Sequence, residues 1–346
     1  MQRTSSPKLA VGLSGGVDSA AAALLLKERG YDLLGVTMTL GRSCDVGAVA
    51  AAEAVARQLA IPFEVVDLAR EFSAKVLDYV RAEYMAARTP NPCVRCNEAL
   101  KLSLLPRFAF ENLSCGGFAT GHYARVVDGS LYRGVDRAKD QSYFLYRVDR
   151  STLLRTHFPL GAHTKSEARE IVRRAGITLP DATESQDFCW GDVRTLLPRS
   201  AAEGEVVTTD GKVVGRHSGY WNFTVGMRKG LGTGGGGVPF YVVALDAANN
   251  RVIVGPRSAA FKREFSVADV VRLAEWDEIE DAGSARRLMV KVRSSGELCG
   301  PVRLAADGSV ASEVPVNAVA PGQSAVFYDG DRVLAGGIIQ SSTSID

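Results

Sequence analysis

No apolar run in this 346-residue chain approaches the roughly 18 residues that a bilayer-spanning helix needs. The longest, Ala20–Leu26, is closed off by Asp18 and Lys27. The opening Met1–Lys8 is polar and lacks the apolar core of a secretion signal. Together these two absences set the expectation of a cytoplasmic protein with no membrane contact. A second Cys-x-x-Cys pair is also missing, which excludes a four-cysteine zinc site. Six cysteines without a secretion signal do not read as a disulfide scaffold, so metal or sulfur chemistry gains weight. A large charge excess is missing too: the net charge is +2, which does not by itself indicate a nucleic-acid partner. With no long repeat and no sustained heptad, a monomer is expected.

What is present alternates. Leu9–Leu13 reads as a short apolar strand, and the Ala/Leu-rich run after it as a helix ending near Arg29 and Gly30. Leu33–Thr39 reads as a strand, Val46–Leu59 as a helix and Phe63–Leu68 as a strand. This βαβαβ rhythm predicts an α/β domain with a parallel sheet covered by helices. Further on, Thr164-Lys165-Ser166-Glu167 has capping-box spacing and opens a helix that Gly176 can end. Between residues 147 and 176, Arg147, Arg150, Arg155, Lys165, Arg169, Arg173 and Arg174 outnumber Asp149, Glu167 and Glu170. That segment is either a solvated helical face or a stripe that follows phosphates. Past Arg199 the pattern becomes short β-branched runs with Asp-Gly turns, read as small antiparallel β structure. The expected domains are 1–198, a central β domain over 199–260, and a β-barrel over 261–346. The glycine-rich run Gly232–Gly237 reads as a mobile loop, since no capped helix follows it.

Two motifs carry chemistry. In the first, Ser14-Gly15-Gly16-Val17-Asp18-Ser19 lies where the first strand hands over to the first helix. Paired glycines let backbone approach an anion, and a helix N-terminus adds free N–H groups and a favourable dipole. The Lys-Ser/Thr ending of a Walker A loop is absent. Asp18 suits either a helix cap or a magnesium-related role. In the second, Cys93 and Cys96 sit in Thr89-Pro90-Asn91-Pro92-Cys93-Val94-Arg95-Cys96-Asn97, a proline-stiffened loop entering a helix. Cys189 lies far along the chain, in Glu184–Trp190. Helix N-termini favour thiolates, which act as nucleophiles or ligands. Cys44, Cys115 and Cys299 read as ordinary thiols.

The loop resembles the pyrophosphate loop of the N-type ATP pyrophosphatases. Alone, it would also suit an amidotransferase-type synthetase or an amino-acid ligase, neither of which requires three cysteines. The wider set of motifs resembles the tRNA-specific 2-thiouridylases over nearly the whole chain. Besides the two motifs, the segments that carry the resemblance are Ala119–Arg125, Lys139–Leu145, the Cys189 segment, Gly226–Gly232 and Ala320–Tyr328.

The resemblance implies a parallel-sheet ATP pyrophosphatase domain followed by two small β-rich domains. It implies ATP and Mg²⁺ as cofactors, with Gly12, Leu13, Ser14, Gly15, Gly16, Val17, Asp18, Ser19, Met38 and Gly121 at ATP. It implies tRNA contacts from His122, Lys139, Asp140, Gln141 and Gln323, with tRNAs for lysine, glutamate and glutamine as substrates. It also implies Cys96 and Cys189 as the catalytic pair, with Cys189 carrying a persulfide. A sulfur donor follows as a partner: a cysteine desulfurase, a relay protein or sulfide. Thiolation of a different tRNA base is the nearest alternative. Two departures stand out. Cys93 occupies the position of the family's usual Asp, which makes a 4Fe–4S cluster on Cys93, Cys96 and Cys189 a second reading beside the persulfide. Met227 stands where the family usually has Gln.

Overall fold

A computed structural model describes residues 8–42, 44–179, 192–198, 203–231 and 239–342. The chain packs as two compact units. One takes Met1–Val76, Cys93–Trp190 and Asp331–Val333; the other takes Leu77–Pro92, Gly191–Gly330 and Leu334–Asp346.

The first unit is the expected α/β domain. Strands β1 (Leu9–Gly12), β2 (Leu33–Thr39), β3 (Phe63–Asp67) and β4 (Gly117–Ala119) join the two-residue strand Thr156–His157. They form a five-stranded sheet in the order β3-β2-β1-β4-(Thr156–His157), with every pairing parallel. Helix α1 (Val17–Glu28) is alanine-rich because it is buried nearly all round. Ala20–Ala23 and Leu26 pack with Leu9, Val11 and Leu13 of the sheet side. They also meet Ala168 and Val172 of the helix Lys165–Arg174. Small side chains let these layers approach closely.

Helix α2 (Asp45–Gln58) begins one residue earlier than the pattern suggested. The reason is Asp45, whose carboxylate accepts the N–H groups of Leu40 and Arg42 and pairs with the Arg42 guanidinium. The predicted capping box is formed: Glu167 accepts the Thr164 N–H at 2.7 Å, and Thr164 Oγ1 accepts the Glu167 N–H at 3.3 Å. The hairpin Ala124–Val127/Ser130–Arg133 also belongs to this unit, and Tyr132 registers with Arg332. Asp331 beside it takes Arg137 at 2.7 Å and Arg125 at 2.9 Å, and these guanidiniums hold its carboxyl below the usual range.

The second unit holds two β assemblies. The smaller is four-stranded, in the order Tyr241–Asp246, Arg251–Gly255, Gly204–Thr208, Val213–His217. The purely antiparallel expectation is corrected here: Arg251–Gly255 runs parallel to Gly204–Thr208, with Arg251 opposite Glu205. Each flanking pair is an antiparallel hairpin, but the two hairpins meet through one strand from each, and those two run the same way. Its core contains Val206, Tyr220, Phe223, Val242 and Val252, with Trp221 packed against it as a structural residue. The run Gly232–Gly237 lies outside the described residues. The larger assembly is antiparallel from Phe261 onward and folds around Phe265, Ile279, Leu288, Val290 and Phe327. Among the described residues no helix is long and apolar enough to cross a membrane.

Candidate active site

The loop between β1 and α1 is built by sterics first. Gly15 has φ +78°, and a Cβ there would lie 2.4 Å from Ala51 Cβ. Gly121, just after β4, packs so tightly that a Cβ would meet the Asp18 carbonyl carbon at 2.7 Å and the Ser19 nitrogen at 2.8 Å. Gly12 and Gly16 would make only ordinary contacts with an added Cβ. Leu13 is buried under the loop and Val17 packs on the same core.

Ser14 N–H donates to Ser19 Oγ at 3.1 Å, and Ser19 Oγ donates back to the Gly16 carbonyl at 3.1 Å. Gly16 is the N-cap of α1 and offers no side chain to its first N–H groups. An uncapped helix start with backbone at close range is suited to an anion. Met38 lies near the end of β2, half-buried, opposite Val66 of β3.

Asp18 does not cap the helix. Its carboxylate turns sideways, accepting Tyr123 Oη at 2.7 Å and Lys165 Nζ at 2.8 and 2.9 Å. Tyr123 is itself held at both ends. Its backbone N–H donates to Gln141 Oε1 at 3.0 Å, and its carbonyl accepts the Gln141 N–H at 2.9 Å. The Lys165 N–H donates to Asp136 Oδ2 at 2.9 Å.

The resemblance brought Gln141 forward but left Tyr123 and Lys165 out. A signal for Lys165 was available: a lysine in the first turn of a helix opposes the positive end of the dipole. A cation placed there calls for a carboxylate from elsewhere.

The remaining expected residues divide. His122 lies next to Gly121, its Nδ1 2.8 Å from Thr120 Oγ1. Burial of the ring, helped by the Lys101 charge, pushes its pKa down to about 3. The imidazole is therefore neutral at physiological pH. Asp140 is a buried staple: its carboxylate accepts N–H groups of Gly134 and Ser142, the Ser142 hydroxyl, and Arg133 Nε at 3.2 Å. Lys139 is half-buried, its N–H on the Asp136 carbonyl. Gln323 belongs to the second unit, where its amide donates to the carbonyls of Thr89 and Pro90.

Cys93 and Cys96 lie one turn apart on the helix Pro92–Cys96, which continues as a wider turn over Asn97–Leu104. Residues three apart on a helix share a face. Cys93 is half-buried and Cys96 buried. Glu98 ties this helix to the basic segment, taking Arg95 at 2.8 Å and Arg147 at 2.9 Å. Cys189 lies outside the described residues. No grouping of three metal-ligating side chains occurs among the described residues.

Several side chains of the basic segment have defined partners. Arg147 is on Glu98, Arg155 lies over the Phe110 ring at 3.6 Å, Lys165 is on Asp18, and Arg173 is on Glu170. Arg150, Arg169 and Arg174 are exposed.

Three family models match in succession. They are described as a tRNA methyl transferase HUP domain over residues 7–192, a tRNA methyl transferase PRC-barrel domain over 194–256, and an aminomethyltransferase beta-barrel domain over 265–339. Curated relatives are similar along almost all of both chains. A protein of Trichormus variabilis named tRNA-specific 2-thiouridylase MnmA is 40% identical, covering 96% of this chain and 98% of its own. One of the same name from Acidithiobacillus ferrooxidans is 43% identical, covering 97% and 99%. Another from Chloroflexus aurantiacus is 43% identical, covering 95% and 97%.

Proposed function

This chain belongs to the tRNA-specific 2-thiouridylase family, and on that premise we propose how its residues divide the work of an ATP-dependent tRNA 2-thiouridylase. The observation that carries the proposal is the β1–α1 loop. Its Gly15 turn, the Gly121 approach and the uncapped start of α1 leave backbone N–H groups for the ATP pyrophosphate. Met38, at the neighbouring strand end, lies at the adenine.

The uridine, unstacked from the anticodon, offers its 2-oxo group to the α-phosphorus. The new bond makes that oxygen part of AMP, and pyrophosphate departs. Sulfur then attacks the ring carbon and AMP leaves. Mg²⁺ bound with the nucleotide would neutralise pyrophosphate charge. Asp18 is the loop's carboxylate and would be the residue to hold that ion, in competition with the Lys165 ammonium and the Tyr123 hydroxyl whose hydrogen bonds it accepts.

The tRNA, of the lysine, glutamate and glutamine type, lies along the exposed Arg150, Arg169 and Arg174 and meets His122, Lys139 and Gln141. Asp140, wholly buried, acts on it through the loop that it holds. Gln323 acts on the RNA directly or through Thr89 and Pro90.

Sulfur reaches the site at the Cys93–Cys96 turn. It arrives as a persulfide on Cys189, from which the Cys96 thiol releases it by forming a Cys96–Cys189 disulfide that an external thiol reduces. Alternatively, Cys93, Cys96 and Cys189 would hold a cluster that supplies sulfide-level sulfur. In the cytoplasm a cysteine desulfurase or a relay protein supplies the persulfide's outer sulfur, and sulfide would serve the cluster route. The test is pyrophosphate release from ATP that depends on added tRNA, with mass analysis of the digested nucleosides. 2-Thiouridine formed only with ATP supports the proposal. ATP cleavage without RNA, or sulfur on another base, overturns it.

A further inference from the structure

The side chain of Asp18 stands at the mouth of the nucleotide loop and is 36% exposed. Unpaired, a carboxylate there would repel a polyphosphate. It places a full negative charge in the first turn of α1, where a helix N-terminus supplies only about half a positive charge.

The chain answers with a cation from a different element. Lys165 Nζ reaches both Asp18 oxygens, and its side chain is only 11% exposed. The lysine is anchored by its own N–H on Asp136 and by the capped helix whose first turn it occupies. Tyr123 Oη adds a second donor to Asp18 Oδ1, and Gly121 presses on the backbone of the same residue.

A lysine in a helix's first turn opposes that helix's own dipole. Its placement disfavours its own helix and favours the loop.

We propose that Lys165 is a nucleotide-positioning residue, which neutralises and orients Asp18 so that the loop presents net positive potential to the ATP triphosphate. Tyr123 fixes the rotamer in which this pairing holds. The inference rests on the reading of the loop as the ATP site, and its test separates the two.

The test is equilibrium binding of ATP and of AMP to the full-length protein. It compares wild type, Lys165→Met, Lys165→Arg, and Lys165→Met combined with Asp18→Asn. Wild type that binds neither nucleotide would sink the ATP reading itself and leave nothing for Lys165 to position. With wild-type binding in hand, Lys165→Met is expected to weaken ATP tenfold or more and AMP less than twofold, because the penalty follows the charge at the pyrophosphate. Lys165→Arg keeps most of the ATP affinity. The double variant, with the unpaired carboxylate gone, recovers most of what Lys165→Met loses. Equal losses on ATP and AMP would reveal a folding defect and overturn the proposal. An unchanged ATP affinity, or a double variant as weak as the single one, would overturn it too.

Discussion

Gln323 grips Thr89 through its amide, which donates to the Thr89 carbonyl at 3.0 Å, while the carbonyl of Pro321, two residues earlier, accepts the Thr89 N–H at 2.7 Å. The same amide reaches the Pro90 carbonyl at 3.2 Å. Gln323→Ala removes two hydrogen bonds, for a loss of about 1–2 kcal/mol in denaturant unfolding. Amide exchange around Thr89 should quicken. Turnover that falls at unchanged tRNA affinity marks Gln323 as a positioning residue. A fall in tRNA affinity alone marks a direct contact with the RNA.

Gly121→Ala separates packing from backbone conformation. Its new Cβ would press on Asp18 and Ser19 backbone, which has no flexible end to move aside. ATP affinity is expected to drop at least tenfold, roughly 1.4 kcal/mol. Gly30→Ala is the control. Its φ is +81° but nothing lies within 4 Å of the new Cβ. That variant should lose about 1 kcal/mol of stability and no ATP affinity.

Asp140→Ala leaves Arg133 and three further donors without their shared acceptor in a buried site. The expected loss is about 3 kcal/mol, seen as a lower urea midpoint. Asp140→Asn should recover part of it.

Much of this was legible beforehand. Leu33–Thr39 appears as read, and the parallel sheet follows from apolar strands alternating with an alanine-rich helix. The capping box of Thr164 and Glu167 was visible because it is local. The parallel pairing of Arg251–Gly255 was not, since period-two patterning fixes which face is buried and says nothing about which hairpin strand meets which. In the site, loop and glycines could be read from spacing. The Asp18–Lys165 pair spans 147 residues, and only tertiary packing brings its members together. The hydrogen bonds that Asp140 accepts were not legible either, because a buried staple and an RNA contact look alike as letters.

His122 gives a pH prediction. Its folded pKa, about 3, lies below the ordinary value of 6.5. The unfolded chain therefore binds the extra proton first. The stability tied to the neutral ring is complete above about pH 6.5 and declines as pH falls toward 3, by at most about 1.4 kcal/mol per pH unit. Burial lowers His157 and His217 in the same direction. Urea midpoints at pH 7.5 and 5.5 should differ in wild type and differ less in His122→Asn.

Iron and sulfide analysis of protein purified without oxygen decides the sulfur chemistry. About four irons per chain with a broad visible band, both lost in Cys93→Ala, establish the cluster. Fully active protein without iron returns the chemistry to a persulfide on Cys189.

Asp331 links distant stretches of the chain in time as well as in space. Arg125 and Arg137 belong to the α/β unit, yet their acid is encoded about 200 residues later. On the ribosome, the sheet and its helices emerge long before Asp331 does. Until then two neighbouring guanidiniums stand without their counter-ion. The α/β unit therefore completes this ion cluster only after the second unit's residues up to Gly330 have been made, and a chain cut short before Asp331 would leave the earlier-made unit without it.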